Sequence, residues 1–308
     1  MSQRTARPLS RRQMLRLSGL GLAGIAGVAG LAACGVAPAA SPAGAVPAKL
    51  RFGVGPLQPT PEESKTAFDP FFKYLADQLG TQYDLVATTD WAGISVALAN
   101  DQIDLAWMGP WGYILANDTA KAEAIATVKY DGKPIYHAIV VGRPGLNITT
   151  WPDDAKGMSI SFADVGSTSG WLIPTTWFQA KGIDPKTYFQ YSEGATHAAN
   201  EIAVANGQVD LATDFDRNRN AMIESGKLDA AATEVVWTSD PLPNDAIAVR
   251  TGFDPALAQR IQGILLGITE EQAKTIMPNH YTGFVAATHA SYKLIEDAGI
   301  AVGRIKPK

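Results

Sequence analysis

From Leu50 to the end of the chain, short apolar runs alternate with stretches of helical spacing, and this alternation restricts the fold more than any other feature. The segments 51–54, 83–87, 105–108, 125–129, 137–141, 159–162, 211–213, 233–237 and 246–249 read as strands; 68–79, 93–100, 171–181, 201–206 and 255–267 read as helices. In the last of these, Leu257, Ile261, Ile264, Leu265 and Ile268 recur at helical spacing. Such interleaving packs as α/β layers with largely parallel sheets, because parallel neighbours need a crossover between them. The 308 residues suffice for two domains, no repeat of fixed period is visible, and the sequence after Met277 is too mixed to assign.

Before Leu50 the chain has a different character. Residues 1–33 hold Arg4, Arg7, Arg11, Arg12 and Arg16 and no acid, and their uncharged Gly/Ala/Leu-rich part runs into Leu31-Ala32-Ala33-Cys34. This is the pattern of a targeting segment and is set aside from fold reasoning. Ser10 to Arg16 resembles a twin-arginine export signal, with Met14 where Phe is commoner and Arg16 where Lys is commoner. Leu31 to Cys34 resembles a bacterial lipobox, which implies cleavage before Cys34 and a lipid anchor on its sulfur. The alternatives are a retained transmembrane helix and a free Cys34. Gly19, Gly21, Gly24, Gly27 and Gly30 weaken such a helix, and the run is at the short end of what spans a bilayer. Gly19 to Gly24 also fits a dinucleotide G-x-G-x-x-G pattern, but no strand precedes it. Residues 35–49 are Ala, Pro, Gly, Ser and Val with almost no charge, a composition that cannot build a core of its own, so 34–49 reads as the lipidated cysteine and a flexible tether.

The formal net charge is −4, from 26 basic and 30 acidic residues; without the five arginines of the targeting segment, 21 basic residues remain and the balance is −9. With no long basic run, nucleic acid is not an expected partner. One cysteine excludes an internal disulfide framework. His137, His197, His280 and His289 show no metal-ligand spacing, so neither metal nor cofactor is expected.

The sharpest chemical feature is Ser159 to Pro174, a strand, then Val165-Gly166-Ser167-Thr168-Ser169-Gly170, then a helix start. Such a turn offers free backbone N–H groups and three hydroxyls at the positive end of a helix dipole, which suits a small oxyanion. A plain N-cap would show the same residues. Thr168 stands where a G-x-S-x-G elbow needs serine, and no Gly-Lys-Ser/Thr follows to make a P-loop.

Four further segments, Thr89 to Gly93, Asp104 to Pro110, Thr196 to Asn200 running on to Asp210, and Trp237 to Asp245, complete a pattern. With the Ser167-Thr168-Ser169 turn they resemble, in the right order, the phosphonate-binding proteins of ABC importers. The resemblance implies a type II periplasmic-binding-protein fold: two α/β lobes, two crossover strands and a ligand cleft between. Lobe 1 is expected at 50–141 plus 246–308 and lobe 2 at 142–245, with crossovers near 141–145 and 241–249. It implies a periplasmic or cell-surface binding protein, not an enzyme, that hands a small phosphorus oxyanion to a membrane permease and its ATPase. A sensory subunit of a membrane signalling system could share the fold and site.

On the same resemblance Ser167, Thr168 and Ser169 hold the ligand's oxygens, Tyr136 donates from the other lobe, and His197 faces the same oxyanion. Lobe closure is expected to bring Tyr136 and His197 in across the cleft. Two positions depart from the aminoalkylphosphonate-binding pattern. Trp91 stands in place of a tyrosine, and Arg217 in place of one of two amine-binding acids, while Asp245 keeps the other. A guanidinium in place of a carboxylate disfavours an amine on the ligand. Arg217 is expected either to touch ligand or to pair with Asp214, Asp216 or Asp245. The expected ligand is therefore phosphite, methylphosphonate, phosphate, or a phosphonate with a second anionic group.

Overall fold

The computed structural model describes residues 43–307; the expected export signal, the lipobox, Cys34 and most of the tether lie outside the described residues. The tether's last residues are held: Gly44 N–H donates to Asp254 Oδ1 at 3.0 Å and Val46 packs on the core. Asp254 also caps the Pro255–Leu266 helix, so one carboxylate serves both.

Two mixed sheets form two lobes. The first has the order Tyr281–Ala286, Glu123–Tyr130, Ala246–Val249, Leu105–Met108, Lys49–Val54 and Gln82–Ala87. The second runs Glu234–Thr238, Ala138–Gly142, Leu211–Phe215, Ser159–Ala163 and Gln190–Ala195. In each, parallel pairs such as Phe52 with Leu105 and Ile160 with Leu211 sit beside antiparallel strands where the chain returns, so the sheets are less parallel than the sequence suggests. Leu50, Phe52, Leu105 and Trp107 lie buried under the Pro61–Leu79 and Pro255–Leu266 helices. Phe68 and Phe71 pack edge-on against Trp107.

The chain passes between the lobes at Ile135–Tyr136 and back at Leu242–Pro243, and these segments pair with each other, Tyr136 opposite Leu242. The first crossing is earlier than the expected 141–145. Residues 138–141, assigned to lobe 1 from sequence, pair with Leu211–Phe215 on one side and Glu234–Thr238 on the other, so they belong to lobe 2 with Gly142. The tail after Met277 supplies an edge strand, Tyr281–Ala286, and the helix Lys293–Ala301. No helix among the described residues is long and apolar enough to cross a membrane.

Candidate functional site

Strand Ser159–Ala163 lies between Leu211–Phe215 and the edge strand Gln190–Ala195 of the second sheet and turns at Asp164 to Ser167. The next turn, Thr168–Leu172, is wider than an α-helical one, because Leu172 N–H reaches back five residues to Ser167 O at 3.1 Å; Ile173–Ala180 then continues as regular helix. First-turn N–H groups have no partner inside a helix. Ser167, Thr168 and Ser169 are all buried here. Gly170 N–H donates to Ser167 Oγ at 3.0 Å, the N-cap bond that fixes the turn.

His197 comes from the same lobe, at the start of the His197–Ala205 helix, and so does not cross the cleft as expected. Its Nε2 lies 3.0 Å from Ser167 Oγ, so in this arrangement it orients a turn hydroxyl. Its Nδ1 is 3.0 Å from Asp214 Oδ1, without the alignment a hydrogen bond needs. Burial pushes the imidazole down to about 4, hence it is neutral. Behind it, burial drives Asp214 up to about 7, and burial together with the neighbouring Asp214 drives Glu201 up to about 9; Asn218 donates to Asp214 and Thr233 to Glu201.

Lobe 1 meets the turn with two helix N-termini. Trp111 N–H, in the first turn of Pro110–Ala120, donates to Thr168 Oγ1 at 2.8 Å, and Trp111 Nε1 to Val165 O at 3.2 Å. Trp91 N–H, at the start of Trp91–Ala99, donates to Asp164 Oδ1 at 3.1 Å. The cross-cleft donors are therefore backbone and indole N–H groups. The Trp91 ring is buried over Gly55 and Gly109; a Cβ on Gly55 would lie 2.5 Å from it. Tyr136 stands on the crossover rather than in the opposite lobe, and lines the same cavity as Thr168 and Ser169.

Arg217 opens the Asp216–Glu224 helix and is 6% exposed. Of the partners the sequence allowed, it takes Asp245, Nη2 to Oδ2 at 3.6 Å. Its guanidinium lies over the rings of Tyr136 at 4.8 Å and Tyr130 at 5.2 Å. Burial opposes the charge, but Asp245, Tyr281, Tyr136 and Asp216 together outweigh it and the group titrates above its ordinary value. Arg217 Nε and Nη1 have no hydrogen-bond partner among the described residues. Asp245 accepts from Trp107 Nε1 at 3.2 Å, and burial raises its carboxyl despite Arg217.

All eight residues singled out from sequence, Trp91, Tyr136, Ser167, Thr168, Ser169, His197, Arg217 and Asp245, line one cavity. Leu57, Gly109 and Phe215 line it too and were missed. Gly109-Pro110, a glycine before a proline at a helix start, was the available signal for the lobe 1 terminus. The cavity offers a water centre about 10 Å³, so a tetrahedral anion must part side chains or lobes to enter.

Two α/β lobes on a paired crossover, closed over a small cavity of convergent donors, define a solute-binding protein of the periplasmic type. The family profile described as "ABC transporter, phosphonate, periplasmic substrate-binding protein" matches residues 52–292, and the chain belongs to this family of transporter binding components. It is 27% identical over 250 residues to the phosphate-import protein PhnD of Mycolicibacterium smegmatis, covering 74% of this chain and 78% of that one. It is 28% identical over 229 residues to the phosphonates-binding periplasmic protein of Escherichia coli, covering 72% and 68%. Among solved structures, an ABC phosphonate transporter binding component from Pseudomonas aeruginosa superposes with TM-score 0.75 at 25% identity, covering 82% of this chain and 85% of that one. PhnD1 of Prochlorococcus marinus, in complex with methylphosphonate, does so with TM-score 0.75 at 18% identity, covering 84% and 99%.

Proposed function

We propose that the protein captures a small phosphorus oxyanion outside the cytoplasm, holds it on the Ser167-Thr168-Ser169 turn, and passes it to an ABC permease and ATPase while anchored to the membrane through Cys34. The convergence of eight residues from distant segments on one cavity carries this reading. Turn N–H groups and hydroxyls supply a neutral cradle, and Arg217 adds one fixed positive charge. Trp91 and Arg217 favour phosphate, phosphite or methylphosphonate over an aminoalkylphosphonate, since an ammonium group would meet the guanidinium. The M. smegmatis relative, named for phosphate import, supports a ligand of this size.

Calorimetric titration with phosphate, phosphite, methylphosphonate, aminoethylphosphonate and sulfate tests the reading. The first three should bind, and aminoethylphosphonate more weakly; tightest binding of aminoethylphosphonate would overturn the ligand assignment. Ser169→Ala and Tyr136→Phe should each weaken binding by about 1–3 kcal/mol. Unchanged affinity in both would remove the site.

A further inference from the structure

Two cavities meet at Arg217. The inner one is the anion cavity, with about 10 Å³ for a water centre; the outer one offers about 310 Å³. They share Leu57, Phe215 and Arg217, and the outer wall continues through Tyr130, Glu224 and His280. We infer that the Arg217 guanidinium is a partition that seals the anion cavity from the outer one and so limits the ligand to an oxyanion whose substituent is no larger than a hydroxyl or methyl group. The inference rests on the phosphorus-oxyanion reading and names the subset of ligands the site accepts.

Three observations carry it. The guanidinium is fixed from several sides, over Tyr136, Tyr130, Phe215 and Tyr281 at 4.8 to 6.0 Å and beside Asp245 at 3.6 Å, so displacing it breaks all these contacts together. Nε and Nη1 are buried without a hydrogen-bond partner among the described residues, an arrangement that an oxyanion in the inner cavity would complete. Beyond the partition the space is ample, with the Glu224 carboxylate held by His280 Nε2 at 2.8 Å, so a tail that passed Arg217 would find room. The contacts of this one side chain thus decide whether a tail is accepted.

The test is a calorimetric series of methyl-, ethyl-, propyl- and 3-aminopropylphosphonate against the wild-type protein, Arg217→Ala and Arg217→Met, with thermal melts to verify folding. In the wild type, affinity should fall at least about tenfold from methyl to propyl, the scale on which pockets resolve methylenes. In Arg217→Ala the methyl form should bind more weakly, yet the methyl-to-propyl ratio should shrink to within about threefold, and the aminopropyl form should gain. Arg217→Met, which keeps bulk without charge, should keep the wild-type ratio while losing headgroup affinity. Propyl binding within about threefold of methyl in the wild type, or an unchanged ratio in Arg217→Ala, would overturn the partition. So would loss of the ratio in Arg217→Met. If no phosphorus oxyanion bound the wild type at millimolar concentration, the parent reading would fall, and the partition with it.

Discussion

Gly170 shows how tightly the Ser167-Thr168-Ser169 turn is fitted. A Cβ there would lie 2.3 Å from Ala163 Cβ and 2.7 Å from His197 Cε1, so any side chain must push the strand or the imidazole aside. Gly170→Ala should therefore cost about 1–3 kcal/mol of stability and weaken anion binding, read by melting and titration together; a wild-type melt would contradict this packing. Thr168 makes a second demand. Its hydroxyl accepts the Trp111 N–H from the other lobe, and Thr168→Val would leave that donor buried and unpaired. The Ser167-Thr168-Ser169 contribution was legible because its chemistry lies in consecutive side chains. The Trp111 contribution was not, because a backbone N–H has no residue type to betray it. His197 lines the same cavity as these residues, but sequence could not say that its ring would face Ser167 from the same lobe.

Among elements, the legible ones have contrast between faces. The Pro255–Leu266 helix alternates buried Leu257, Ile261 and Leu265 with exposed residues, and its pattern was plain. Pro110–Ala120 was missed because Trp111, Gly112, Tyr113 and Ile114 are all buried, which erases the period. Gln190–Ala195 was missed for the opposite reason, being a largely exposed edge strand with few apolar residues. The Pro61–Leu79 helix begins seven residues before the expected 68, since its first turn is polar and declared only by its cap. Thr60 accepts from Glu63 N–H while the Glu63 carboxylate accepts from Thr60 N–H, a reciprocal box ahead of Pro61. Thr60→Ala should lower stability by about 1 kcal/mol in denaturant unfolding. Its ligand affinity should stay at the wild-type value, because the cap lies outside the cavity lined by Ser167, Thr168 and Ser169.

At the scale of the whole molecule, the buried acids behind His197 set how stability responds to pH. Burial, reinforced by Asp214, raises Glu201 to about 9 from 4.5, so between those values the folded protein holds a proton the unfolded chain has lost. Stability from that group is complete below 4.5 and is lost as pH rises through 9. Asp214, raised to about 7, acts the same way over a lower window. His197, lowered from 6.5 to about 4, acts oppositely and removes stability as pH falls between those values. Above pH 7 Glu201 dominates the three, so wild-type stability should fall between pH 7 and 9 by up to about 1.4 kcal/mol per unit. Glu201→Gln should flatten that slope, measured by denaturant unfolding across the range; parallel curves for the two proteins would exclude Glu201 as the source.

The crossover ladder has a mechanical consequence. Two connections joined side by side, Tyr136 opposite Leu242, bend together as one leaf, whereas two separate tethers would let the lobes swivel independently. Opening is thereby reduced to one angular coordinate, and a single ruler reads it. Glu63 and Lys227 face each other from opposite lobes at 3.5 Å, both about half exposed, so a spin-label or fluorophore pair at these positions would report the full opening angle. Titrating anion should then shift one distance distribution between two positions, in proportion to the fraction bound.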